Sequence, residues 1–140
     1  MLVFRSFLLF FFSCSMVQTD PINLEMNIRC DPSISYWCAE FLIYEVDNLP
    51  RTNDFIASRK FCTNQTEMKS KYKPFYPGGD LSPNYEFNYV LEHDCVKNGE
   101  THCIDEIKND VYVSVSGQQN VKFDVEAFNG GKLGNCIWYD

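Results

Sequence analysis

Ile22, Leu24, Met26, Ile28 and Cys30 alternate with Asn23, Glu25, Asn27 and Arg29 without a miss. In an extended chain successive side chains point to opposite faces, so this run predicts a strand with one face in a core and the other in water. The same period returns downstream. Tyr85, Phe87, Tyr89, Leu91 and His93 alternate with Glu86, Asn88, Val90, Glu92 and Asp94. Val111, Val113 and Val115 form a third run, and Val121, Phe123, Val125 and Ala127 a fourth. The tight Gly117-Gln118-Gln119-Asn120 connection between the last two reads as a hairpin. Residues 37–46 are nearly all apolar, as in a strand covered on both faces, and Phe55–Cys62 gives a further strand. The stretch from Thr63 to Pro83 carries Pro74, Pro77 and Pro83 with Gly78-Gly79-Asp80, and reads mostly as loop. A short helix fits only around Ile104–Lys108. Short strands separated by turn signals predict an all-β, antiparallel β-sandwich of about seven strands.

The N-terminus and the cysteines place this sandwich in an oxidising compartment. Met1–Arg5 is a basic start, Phe7–Phe12 an apolar core, and Ser13-Cys14-Ser15 a small-residue site. That order reads as a secretory signal peptide over residues 1–18, cleaved after Ser15 or Gln18. The apolar run is shorter than the roughly 20 residues that span a bilayer, so no integral membrane protein is expected. Residues 19–140 then form a single domain. Six cysteines remain there, Cys30, Cys38, Cys62, Cys95, Cys103 and Cys136, and read as three disulfides. Spacing does not choose their pairing, although Cys30 with Cys38 and Cys95 with Cys103 would close short loops. Asn64-Gln65-Thr66 is a glycosylation sequon. Loss of Arg5 leaves 11 basic and 19 acidic side chains. Such a balance disfavours nucleic acid as a partner.

Few residues carry obvious chemistry. His93-Asp94-Cys95 with His102-Cys103 has the residue types of a zinc site, but oxidised sulfur is not a thiolate ligand, so no metal and no cofactor is assigned. No nucleophile elbow or phosphate-binding glycine loop is present, and no catalytic residue is assigned. Arg59, Lys60, Lys69, Lys71 and Lys73 concentrate five cations within fifteen positions, beside Tyr72. Lys69, Lys71 and Lys73 alternate, so an extended segment would project them together. This cluster is the candidate binding site, for an anionic lipid surface or an acidic protein face. The ordinary alternative is a solvated loop.

Three stretches resemble the nematode transthyretin-like family. Residues 41–57, Phe-Leu-Ile-Tyr-Glu-Val-Asp-Asn-Leu-Pro-Arg-Thr-Asn-Asp-Phe-Ile-Ala, are similar to that family's apolar strand and the entry to its next strand. Glu92-His93-Asp94-Cys95 is similar to its His-Asp/Asn-Cys motif, and Cys30 sits where the family places a cysteine. The family's Gly-Lys-Pro is replaced by Asp31-Pro32-Ser33, and its Asp-x-x-Gly-x-Phe turn is absent. The resemblance implies an immunoglobulin-like, transthyretin-like sandwich and a secreted binding protein; one member is described as bridging phosphatidylserine on dying cells to a phagocyte receptor. A related branch hydrolyses 5-hydroxyisourate, with a Tyr-Arg-Gly-Ser tail where this chain has Asn135-Cys136-Ile137-Trp138-Tyr139-Asp140. The expected function is therefore an extracellular binding or adaptor protein, not an enzyme, acting through exposed loops. The alternatives are a carrier of a small apolar ligand and a secreted inhibitor or effector. The oligomeric state is not specified by the sequence.

Overall fold

The first alternating run becomes strand β1 (Ile22–Arg29) in a computed structural model that describes residues 21–46, 53–76, 83–105 and 110–137. The signal segment, the Gly78-Gly79-Asp80 turn and Trp138–Asp140 lie outside the described residues. Eight strands follow: β2 (Trp37–Glu45), β3 (Asp54–Thr63), β4 (Glu67–Phe75), β5 (Asn84–His93), β6 (His102–Asp105), β7 (Val111–Ser114), β8 (Gln119–Glu126) and β9 (Lys132–Leu133). The described residues thus form nine strands rather than seven, and no helix. Ile104 and Asp105, expected at the start of a helix, belong to β6, while Lys108 lies outside the described residues.

Two sheets share the strands. The smaller has the order β4-β1-β8, and the larger runs β3-β2-β5-β6-β9, with β7 also pairing β5. The expectation of antiparallel pairing throughout is corrected at one place: β1 and β8 run parallel, in register from Ile22 opposite Gln119 to Arg29 opposite Glu126. The expected β7–β8 hairpin is corrected too. β7 lies on β5 in the large sheet, so Gly117, at φ 79°, turns the chain from one sheet to the other. Periodicity and turn residues are the same for a hairpin and for such an arch, which is why the pattern could not separate them. The segment read as a loop from Thr63 contains β4. Its inward side is broken by the small polar Ser70, and Pro74 is tolerated because β4 is a sheet edge that needs no partner for the missing N–H.

Inward residues of both sheets fill the space between them. Ile22, Leu24, Met26 and Ile28 of β1 meet Trp37, Phe41 and Ile43 of β2 and Tyr85, Phe87 and Leu91 of β5, all 2% exposed or less. Aromatic rings meet edge to face, Trp37 on Phe61 at 5.2 Å and Tyr89 on Phe123 at 5.1 Å between centroids. The buried Trp37 indole donates to the Gln65 carbonyl at 2.8 Å and so ties the β3–β4 turn to the core.

All six cysteines are bridged, as Cys30–Cys95, Cys38–Cys62 and Cys103–Cys136. Neither short loop considered from spacing forms. Cys30–Cys95 joins the end of β1 to the residue two beyond β5, across the sandwich. Cys38 and Cys62 sit directly opposite each other on β2 and β3. Cys103–Cys136 straps the C-terminal segment to β6. The first closes 65 residues and the last 33, so loop-closure entropy assigns them about 4 kcal/mol each.

Candidate functional site

The outward face of the small sheet carries charges in rows set by the register. Lys71 stands opposite Glu25, and Glu25 opposite Lys122. One step along, Asn27 lies between Lys69 and Asp124, and at the end Arg29 lies between Glu67 and Glu126. Ion pairs follow from this placement: Lys71–Glu25 at 3.1 Å, Lys69–Glu67 at 3.0 Å, Lys122–Asp124 at 2.7 Å and Arg29–Glu126 at 3.5 Å. Asn23 donates to Asn120 and Asn27 to Asp124, both at 2.9 Å, because parallel pairing in register places like positions side by side. Asn27 faces outward yet is only 3% exposed, since the long side chains around it lie over the sheet. The hydrogen bond from Lys122 holds the Asp124 carboxyl below its ordinary range and raises the Lys122 ammonium in turn. Lys69, and then Asn27, does the same to Glu67.

Near the start of β1 the rows open into a groove of about 460 Å³, lined by Asn23, Leu24, Glu25, Lys71, Tyr72, Asn120, Val121 and Lys122. It offers two ammonium groups, two amides and one carboxylate. Lys71 keeps 77% of its side chain exposed while paired to Glu25, so its ammonium can turn toward a ligand. This arrangement can bind an anionic oxygen group.

Of the residues singled out from sequence, the structure brings Lys69, Lys71 and Lys73 together on the outward face of β4, a strand and not the loop expected. Tyr72 points the opposite way, into the sandwich, where its ring meets Phe41 edge to face at 6.3 Å and burial raises its hydroxyl pKa. Arg59 reaches across the open edge between the sheets and donates to Ser70 Oγ at 3.0 Å. Lys60 is separate: it pairs with Glu40 at 3.0 Å on the outward face of the large sheet. Asn64 is exposed at the β3–β4 turn. Asn23, Glu25, Asn120 and Lys122 were missed, because a parallel pairing between the first and a late strand leaves no local mark. Their matched outward phase was the one available clue.

The His93-Asp94-Cys95 segment serves the scaffold. Asp94 Oδ1 accepts the Cys38 N–H at 2.6 Å, and His93 Nδ1 accepts the Cys95 N–H at 3.2 Å. His93 is 2% exposed. Burial, and next the neighbouring His102, lower its pKa from 6.5 to about 4, against the opposing pull of the Gly130 carbonyl and Asp94. His102 directs Nδ1 to the Gly130 carbonyl at 3.0 Å. Cys95 and Cys103 are oxidised, and no group of three or more potential metal ligands occurs among the described residues. Among them, too, no helix is long and apolar enough to cross a membrane.

A family model described as Caenorhabditis elegans protein of unknown function (DUF870) matches residues 25–139. The chain belongs to that family. The match takes in every strand from β2 to β9, all six bridged cysteines and the charged rows from Glu25 onward. No curated protein and no solved structure matches the chain.

Proposed function

We propose that the protein is a secreted binding protein of transthyretin-like type whose small-sheet face recognises an anionic lipid surface. The observation that carries the reading is the groove rimmed by Lys71 and Lys122, with Lys73 next outward along β4, on a sheet face that no other described segment covers. Arg29, Lys69, Lys71, Lys73 and Lys122 meet only Glu25, Glu67, Asp124 and Glu126 there, in a chain with 12 basic and 19 acidic residues. This face is thus less negative than the molecule around it. An anionic surface would orient the protein with the face inward, and screening by salt would weaken the contact within a Debye length of about 8 Å. Three disulfides fit an oxidising, extracellular setting. The apolar-carrier reading is weaker, because large side chains such as Trp37, Phe41 and Phe87 fill the space between the sheets. Catalysis has no support in a histidine that is buried, with one ring nitrogen committed to a backbone N–H.

The test is co-sedimentation with vesicles of pure phosphatidylcholine and of phosphatidylcholine with added phosphatidylserine. The protein is expected to sediment with the second only, less so as salt rises, and to lose most binding when Lys69, Lys71 and Lys73 are changed to Glu. Equal sedimentation with both vesicles, or an unaffected triple variant, removes the small-sheet face from the account. Binding to neither would point to an acidic protein face as the partner instead.

A further inference from the structure

We propose that Asn64 carries an N-linked oligosaccharide, and that it marks the end of the sandwich turned away from the binding groove. Asn64-Gln65-Thr66 forms the whole connection between β3 and β4. All three residues are exposed, and the Asn64 side chain makes no hydrogen bond among the described residues. Most asparagines that are well placed in this fold are spoken for: Asn23, Asn27 and Asn88 all donate to neighbouring side chains. The backbone around Asn64 is firm. The Gln65 carbonyl accepts from Trp37, the Thr66 carbonyl accepts the Cys30 N–H at 2.8 Å, and the Gln65 N–H donates to Thr63 Oγ1 at 3.0 Å. Cys62, two residues before Asn64, is bridged to Cys38. A rigid turn with one free amide at its tip can hold a bulky polar group in water without disturbing the core.

The chemistry is a glycosyl transfer. The Asn64 amide nitrogen bonds to the anomeric carbon of a lipid-pyrophosphate-linked oligosaccharide, the carbon–oxygen bond to pyrophosphate breaks, and the amide gives up one proton. This requires only passage through a secretory compartment, the premise shared with the proposed function.

Placement gives the sugar a consequence. Glu67 begins β4 beside this turn, whereas Lys71 and Lys73 lie further along the same strand. At about 3.3 Å per residue, the four strand positions from Glu67 to Lys71 alone span roughly 13 Å. The oligosaccharide therefore flanks the Arg29–Glu67 end of the small sheet and leaves the groove open.

Full-length protein secreted from insect cells would be weighed intact, before and after treatment with a peptide amidase specific for N-linked sugar. The expected result is a single sugar mass that the amidase removes, lost in Asn64→Gln and in Thr66→Ala, and retained in Thr66→Ser. Secreted wild-type protein at the bare peptide mass would overturn the proposal without any variant being needed. Sugar removal is also expected to leave vesicle sedimentation within twofold. A larger gain in binding on removal would show that the sugar covers the groove, and would overturn its placement. An unmodified Asn64 leaves the lipid reading standing, and a failed lipid assay leaves the sugar mass unaffected, so the two can fail separately.

Discussion

The two outward sheet faces solve the problem of facing water in opposite ways. The large sheet turns apolar side chains outward. Tyr44 and Val90 are buried there, with Leu42 and Val46 packed beside them, because the C-terminal segment lies over them through Cys136. The Cys103–Cys136 bridge and a 2.9 Å hydrogen bond from the Cys136 N–H to Glu92 hold that cover down. The small sheet turns mainly polar and charged side chains outward, and no other described segment covers it. A face that needs a cover is spent on the scaffold, whereas a face satisfied by its own ion pairs remains available to a partner.

Removing the cover is expected to have the largest effect. Changing Cys103 and Cys136 together to Ser should cost about 4 kcal/mol from loop closure alone, read as a lower urea midpoint, and should expose Tyr44 and Val90 to a fluorescent apolar dye. Vesicle binding by the small sheet should survive wherever the variant is folded. Dye binding no greater than wild type would show that the strap covers nothing of consequence.

Next comes pH. Unfolded, His93 takes up its proton near 6.5; folded, it does so only near 4. Between those values the unfolded chain binds the extra proton, so this contribution is complete above about pH 6.5 and is lost as pH falls toward 4. The loss is roughly 3 kcal/mol at 1.36 kcal/mol per unit. Denaturation midpoints measured from pH 7 to 4 should show this slope, and His93→Asn should flatten it. An equal slope in the variant would assign the effect to carboxylates. A smaller loss, of about 2 kcal/mol, is expected for Gly131→Ala. Gly131 has φ 76°, and a Cβ there would overlap the Cys103 carbonyl where β9 meets β6. Thermal melts of that variant at neutral pH would measure it.

Much of this comparison was legible in residues and some was not. β1 and β8 follow directly from strict alternation and β5 from alternation broken at Val90, and the common direction of Lys69, Lys71 and Lys73 follows from their spacing alone. β4 was hidden because Ser70 stands on its inward side and Pro74 near its end. The partners of the lysines were hidden for a different reason. Glu25 and Lys122 are nearly a hundred positions apart, and their meeting depends on the parallel register of β1 and β8, which no local pattern encodes. Disulfide pairing is non-local in the same sense: both short loops that spacing suggests are rejected in favour of bridges across sheets and to the C-terminal segment.

The smallest expected effect is the one that separates binding from scaffolding most sharply. An ion pair between exposed side chains contributes at most about 1 kcal/mol, because water and salt screen it and two flexible chains must be held still. Lys71→Ala breaks the pair with Glu25 and should shift the urea midpoint by no more than such a pair contributes. Its effect on vesicle sedimentation should be several-fold, since it removes an ammonium from the groove and leaves Glu25 uncompensated there. A large loss of stability with unchanged sedimentation would reverse both halves of the comparison: the charged rows would then be the scaffold's own fastening, and the partner would have to be sought on another face.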